Sequence, residues 1–274
     1  MKKVILILFI SILLVFFASC NFYKYEDSEK YVAGGAEITS NITKLEIDWT
    51  NGDVNISYHD KEMVSFTESA NADLEEKEKL HYYLEGTTLH IKYAKSGIIS
   101  SNPPTKELIV SLPKGILLNE IEINAVSANI KMEQPHFQNK IPSLEIETVS
   151  GDVTLDLKAG AQDIAIETVS GKINASSKAD SIEIETVSGD INFSCNNKLK
   201  ECSITSTSGN VSLGLISTAD FTLEKESVSG DFSCELDTKA QGNRYICGNG
   251  SGEYDIDTVS GDINIYVCAD AEDE

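Results

Sequence analysis

The chain has 274 residues, 44 of them Asp or Glu and 22 Lys or Arg, giving a net charge of −22 at neutral pH. So acidic a chain repels nucleic acid and anionic lipid headgroups, and its single arginine, Arg244, argues against phosphate recognition. Acidity also keeps a strand-rich surface soluble, so the charge by itself names no partner.

Met1 to Cys20 opens with Lys2 and Lys3, runs apolar from Val4 to Phe17 and closes on Ala18-Ser19-Cys20. A basic start, an apolar middle and small residues before a cut predict a signal peptide over residues 1–19. The apolar run of fourteen residues is shorter than the ~20 that a spanning helix needs. Phe17-Ala18-Ser19-Cys20 resembles the bacterial lipobox, with Phe17 where leucine is usual. The resemblance implies diacylglyceryl attachment at Cys20 and a lipid anchor on the extracytoplasmic face of the bacterial cell membrane. The alternative is an uncleaved anchor. Residues 20–37 then read as the lipidated cysteine and a polar, aromatic tether.

Strand signals begin at Ile38. Residues 38–143 read as an N-terminal β cap with degenerate repeats. Leu45-Glu46-Ile47-Asp48-Trp49 runs into Asn51-Gly52-Asp53-Val54-Asn55-Ile56, and a second loose copy centres on Ala128. Between them the pattern predicts a meander, with strands over Met63–Glu68, His81–Glu85, Thr88–Tyr93 and Glu107–Leu112. A short helix is predicted over Ala72–Leu80, and Pro103-Pro104 marks a loop over Ser96–Thr105.

Residues 144–268 are a regular array. Copies centre on Gly151, Gly171, Gly189, Gly209, Gly230 and Gly261, successive glycines being 20, 18, 20, 21 and 31 residues apart. A period near twenty signals a stack of one reused supersecondary unit. Two residues after the glycine stand Val153, Ile173, Ile191, Val211, Phe232 and Ile263, with polar residues between these and a second apolar set two further on. Five before it stand Ile146, Ile166, Ile184, Ile204 and Ile256. This alternation predicts two half-buried strands per unit. The valine two before the glycine has the opposite parity, which predicts a bend near Glu185-Thr186 and its equivalents. In the Gly230 copy Lys225 stands where isoleucine is expected, and a one-residue bulge is predicted there. The long last step holds an insertion, Thr238 to Gly250, and residues 269–274 form an acidic tail. The fold class is all-β, a β-solenoid of about 20-residue two-strand repeats behind an atypical cap.

Little in the chain suggests catalysis. His59, His81, His90 and His136 lack metal-ligand spacing, and His90 reads as a strand residue. No G-x-S-x-G elbow or P-loop is present. The Ser-Gly of each unit recurs in every rung, whereas an active site is needed once. Cys195, Cys202, Cys234, Cys247 and Cys268 remain after Cys20. Cys195, Cys202 and Cys234 lie at inward parity as small core residues, the alternative being a Cys195–Cys202 disulfide.

Two columns of acids are the one constellation that stands out. Four before the glycine are Glu147, Glu167, Glu185, Thr205, Glu226 and Asp257; one after it are Asp152, Lys172, Asp190, Asn210, Asp231 and Asp262. Stacked like charges destabilise, so water screens them, Lys172 relieves them, or cations bind. Calcium favours such oxygen ligands, yet turns also choose Asp for backbone reasons. No other cofactor is indicated.

The repeated Thr-Val-Ser-Gly-Asp-Ile core resembles the bacterial DUF4097 family, often labelled as candidate adhesins. So do Leu108-Ile109-Val110-Ser111-Leu112-Pro113-Lys114 and the Gly248-Asn249-Gly250-Ser251-Gly252 turn. The resemblance covers residues 38–268 and implies a β-solenoid-like extracytoplasmic domain, in some proteins tied to envelope stress. It carries no catalytic residues. The expected function is therefore non-catalytic: a surface lipoprotein acting in adhesion or envelope-stress sensing, with an envelope protein, a glycan or a cationic peptide as partner. The alternatives are a polysaccharide-processing β-helix enzyme and an inert spacer.

Overall fold

Each repeat folds as a rung, with a first strand, a corner at Ser-Gly and a second strand. The computed structural model describes residues 24–98, 102–136 and 138–268, so the predicted signal peptide, Cys20 and the acidic tail lie outside the described residues. The regular rungs are Ile141–Ser150 with Val153–Leu157, Ala161–Ser170 with Ile173–Ser177, Ser181–Ser188 with Ile191–Cys195, and Glu201–Ser208 with Val211–Leu215. Neighbouring rungs pair in parallel and in register. Ile146, Ile166, Ile184 and Ile204 thus form one column, and Val153, Ile173, Ile191 and Val211 another. All eight are at most 1% exposed. Both halves of the rung face one continuous apolar core, and the architecture is an all-β solenoid.

The corner explains the repeated glycine. Gly171 and Gly189 sit at φ +151° and +145°, and a Cβ on either would overlap the carbonyl oxygen of the glycine in the preceding rung. The backbones approach so closely that no side chain fits. The turn therefore lies at Ser-Gly, three residues later than the bend predicted near Glu185-Thr186. Inward alternation simply continues through Thr148, Thr168, Thr186, Ser206 and Thr258, each at most 5% exposed. Val149, Val169 and Val187 are only half-buried. A strand keeps its parity unless a bulge breaks it, and the slim threonine fits inside the corner where valine was expected.

Sequence order and stacking order part company at the far end. The last rung, Gly252–Ser260 with Ile263–Val267, lies between the Gly209 rung and the Gly230 rung. The Gly230 rung, Phe221–Ser229 with Phe232–Cys234, is thus outermost. The insertion makes this possible. Its hairpin, Thr238–Gln241 and Arg244–Cys247, pairs antiparallel with Phe221–Glu224 and carries the chain back. No bulge occurs, because Lys225 pairs directly with Ile256 and Leu223 with Tyr254. With no further rung above it, the inward position tolerates a lysine, whose ammonium lies 5.0 Å from the Phe232 ring centre and 6.0 Å from that of Tyr245.

The opposite end is a cap built differently. Lys44–His59 and Glu120–Gln134 run through the corner without a break and pair in parallel. On the outer side of Lys44–His59 lie Thr88–Lys92 and Lys106–Pro113. The strands expected in this region form, but not as a meander: Val64–Ala70 pairs with Lys106–Pro113, and His81–Glu85 with Thr88–Lys92. The helix predicted over Ala72–Leu80 is a single turn, the Glu78 and Lys79 amides donating to the Glu75 carbonyl at 2.8 and 3.2 Å. Its physical reason is Lys106, fully buried beneath the turn. The Lys106 ammonium donates to Glu68 Oε2 at 2.7 Å, to the Glu78 carbonyl at 2.8 Å and to the Tyr93 carbonyl, so the turn's carbonyls serve the lysine rather than a helix. Trp49 and Tyr93 flank it with ring centres 5.0 and 4.0 Å away.

The predicted tether is also corrected from Lys24 onward. Val32–Ala33 pairs with His81–Glu85 and Ala36–Ile38 with Val64–Ala70, so this stretch is fastened to the cap.

Candidate functional site on the acidic sheet face

Because strand side chains alternate, every residue between two core positions of the first strands points outward onto one broad sheet face. Register aligns them in rows across the stack. One row runs Asp48, Asn124, Glu147, Glu167, Glu185, Thr205, Asp257, Glu226. The next runs Glu46, Glu122, Glu145, Ala165, Glu183, Ser203, Asp255, Glu224 through the same pairings. The structure thus brings together the first predicted column, Glu147, Glu167, Glu185, Glu226 and Asp257, and sets a second acidic row beside it that sequence reasoning had not singled out. The signal was present: the i−2 positions Glu145, Glu183, Glu224 and Asp255 repeat the outward parity.

Crowding shifts these carboxyls. Partial burial, with Glu147 and Glu185 on either side, pushes Glu167 up to about 7. Burial together with Asp255 and Glu226 pushes Asp257 up to about 6. Burial also raises Glu147, beside Glu145, and Asp255, beside Glu224. At the cap basic side chains pair with the face instead. Lys44 lies 3.0 Å from both Glu120 and Glu122, Lys92 lies 2.5 Å from Asp48, and His90 Nδ1 lies 2.5 Å from Glu46. His90 is the strand residue expected.

The second predicted column has another role. Asp152 Oδ1 accepts the Lys172 amide at 2.8 Å, Asp190 Oδ1 the Asn210 amide at 3.0 Å, and Asp262 Oδ1 the Asp231 amide at 2.8 Å. Asn129 and Asn210 do the same for the amides of Asp152 and Asp262, both at 3.0 Å. These side chains bind the corner of one rung to the amide of the next. Asp231, in the outermost rung, receives this bond and has no further rung to serve. Among the described residues no group of three or more His, Cys, Asp or Glu is arranged to hold a metal ion. The calcium reading therefore finds no support at the corners.

At the far end the insertion hairpin overhangs the acidic face and leaves a groove of about 680 Å³. Glu183, Glu201, Glu253, Asp255 and Glu224 line it, with Arg244 reaching in from the hairpin. Arg244 donates through Nε and Nη2 to Glu224 Oε2 at 3.2 and 3.1 Å. Trp49, the only tryptophan, is fully buried in the cap, so it offers no platform for a sugar ring. Cys195 and Cys202 are buried free thiols, and Cys234 is a half-buried one. Burial raises all three, as befits core residues rather than nucleophiles.

A parallel solenoid with a glycine corner ladder and one acid-lined face defines the class. The Toastrack DUF4097 family model matches residues 42–177 and again 137–266, and the chain belongs to that family. No curated protein matches the chain. Among solved structures, a candidate adhesin from Bacteroides fragilis is 13% identical, with 86% of this chain and 97% of that one covered and a TM-score of 0.46. A candidate lipid binding protein from Parabacteroides distasonis is 14% identical, covering 87% and 97%, with a TM-score of 0.42. A candidate cell adhesion protein from Clostridium sporogenes is 17% identical, covering 86% and 100%, with a TM-score of 0.32.

Proposed function

We propose that this chain is a non-catalytic binding module of the bacterial cell envelope, held to the membrane by a lipid on Cys20 and meeting a cationic partner with its acidic sheet face. The observation that carries the reading is the unbroken run of outward carboxylates from Glu147 through Glu167 to Glu185 in adjacent, in-register rungs. Carboxylates held this close repel one another, and an approaching cationic surface relieves that repulsion without any rearrangement of the rigid stack. Adhesion and envelope-stress sensing are the two uses such a surface serves at the outer face of the membrane.

The test uses the full chain and a Lys/Arg-rich peptide. Reversing Glu147, Glu167 and Glu185 to Lys should abolish binding, and salt should weaken it, since exposed charges are screened within about 8–10 Å at physiological ionic strength. Reversing three scattered exposed acids, Glu62, Asp73 and Asp237, changes the net charge equally. Equal losses from both sets would show that only net charge matters and would overturn the assignment of the face. For the anchor, Cys20→Ala should end lipid labelling and release the protein from the membrane fraction.

A further inference from the structure

The segment following Cys20 is fastened to the cap, and the fastening begins almost at once. Tyr25 donates its amide to Ser96 Oγ at 3.1 Å and its hydroxyl to the Ala94 carbonyl at 3.1 Å. Its ring lies 4.5 Å from that of Tyr31, which in turn lies 5.5 Å from Tyr83 and 6.4 Å from His90. Val32–Ala33 then adds a strand beside His81–Glu85, and the Gly34 amide donates to the Leu80 carbonyl at 2.8 Å. Tilted aromatic contacts and a strand pairing together make a strap. Tyr25 is only five residues on from Cys20, a span of at most about 18 Å when fully extended.

The strap holds one end of a long body. The first-strand row comprises thirteen strands, from Val32–Ala33 at the cap to Thr238–Gln241 in the insertion hairpin. At a spacing of ~4.8 Å this row is about 58 Å long. Charge is distributed unevenly along it. Residues 24–119 carry 10 lysines against 16 acids, whereas residues 120–268 carry 10 basic residues against 24 acids. An anionic bilayer therefore repels the array more strongly than the cap.

We infer that the chain is held at the bilayer cap-first, with the stack rising away from the lipid and the hairpin groove presented at the membrane-distal end. The inference rests on the lipid-anchor reading proposed above. It sets which surface an incoming partner meets first: the groove between Arg244 and the Glu183–Glu201–Glu253 face, about 34–53 Å from the lipid-proximal end at ~4.8 Å per strand. The cap, where Lys44 and Lys92 pair with the acids of the face, lies against the membrane.

The test is energy transfer between a single fluorophore on the lipidated full chain and a rhodamine-labelled lipid. The vesicles are phosphatidylcholine with a minor fraction of phosphatidylglycerol. The fluorophore is placed at Asp73→Cys in the cap or at Gln241→Cys in the hairpin, both exposed positions. Transfer should be at least threefold stronger from the cap position, and loosening the strap with Tyr25→Ser and Tyr31→Ser should bring the two values together while the protein stays on the vesicles. Equal transfer from both positions in the unmodified strap overturns the orientation, and a contrast that survives the double substitution overturns the strap as its cause. Failure of the wild-type chain to stay on vesicles, or retention of Cys20→Ala, overturns the anchor reading instead.

Discussion

In the rungs from Gly151 to Gly209 the same solutions are reused: an isoleucine column inside, a glycine where backbones touch and, except at Lys172, a carboxylate or amide side chain to hold the next corner. In the cap each solution is used once: Trp49 and Tyr93 around Lys106, Glu68 beneath a single turn, strands paired in both directions. Repetition lets a rung bury its edge on a copy of itself. An end has no copy to use, so it must close the core with unlike parts. Both ends place a lysine at the limit of the core, buried and ion-paired at Lys106, half-exposed and lying over rings at Lys225.

Four changes probe that contrast. The largest effect belongs to the array: Ile184→Asp places an unpartnered carboxylate in a fully buried column and should cost about 5 kcal/mol. Glu183→Lys, its outward neighbour, should change stability by less than about 0.5 kcal/mol. Similar melting temperatures for the two would refute the assigned facing. In the cap, Lys106→Ala leaves Glu68 buried without its partner and should cost about 3–5 kcal/mol, whereas Lys106→Met combined with Glu68→Leu should recover most of the loss. A double variant as unstable as the single one would show that the ammonium's bonds to the Glu78 and Tyr93 carbonyls matter more than the ion pair. Gly189→Ala should cost about 3 kcal/mol, from an unfavourable φ and overlap with the Gly171 carbonyl. Gly242→Ala, in the hairpin at φ +69° with open space around it, should cost about 1 kcal/mol. Chemical denaturation of both variants distinguishes a close-approach requirement from a purely conformational one.

The smallest effect is a pH dependence. The folded-state values of Glu167 and Asp257 are raised to about 7 and about 6 from the ordinary values of 4.5 and 3.8. A raised carboxyl binds its proton more tightly in the folded chain, so stability rises as pH falls from about 7 toward about 4.5. Discounted for solvent screening, the gain is about 1 kcal/mol, or about 2–4 °C in melting temperature. Glu167→Gln should remove part of the dependence and stabilise the protein at pH 8. A melting temperature that falls steadily over this range would contradict the crowding argument.

The rungs were legible because period-two burial and the recurring glycine are local signals repeated six times, so the sequence alone places Ile184 and Ile191 in the core. The corner was misplaced by three residues because Val187 is more apolar than Thr186, while the fold selected by parity and by the space inside the corner. Both acid columns could be read as positions. Their separate duties could not, since only the register shows Asp190 holding the Asn210 amide while Glu167 faces outward between two glutamates. The cap resisted reading because its contacts are singular and distant. Nothing near Lys106 in sequence announces Glu68, 38 residues away.

The threading of the last rung fixes when the molecule can be finished. The strand Phe221–Ser229 leaves the ribosome well before Gly252–Ser260, yet that later strand is the one it must lie on. Until then the Gly209 rung shows a bare edge, and the hairpin strands can only wait beside an incomplete sheet. Unlike a solenoid that grows by adding one coil at a time, this chain closes in a single late event involving its final forty-odd residues. Such a step joins segments far apart in sequence, the kind that slows folding. It also sets the order of the stack, because the closing rung enters between two rungs that precede it in sequence.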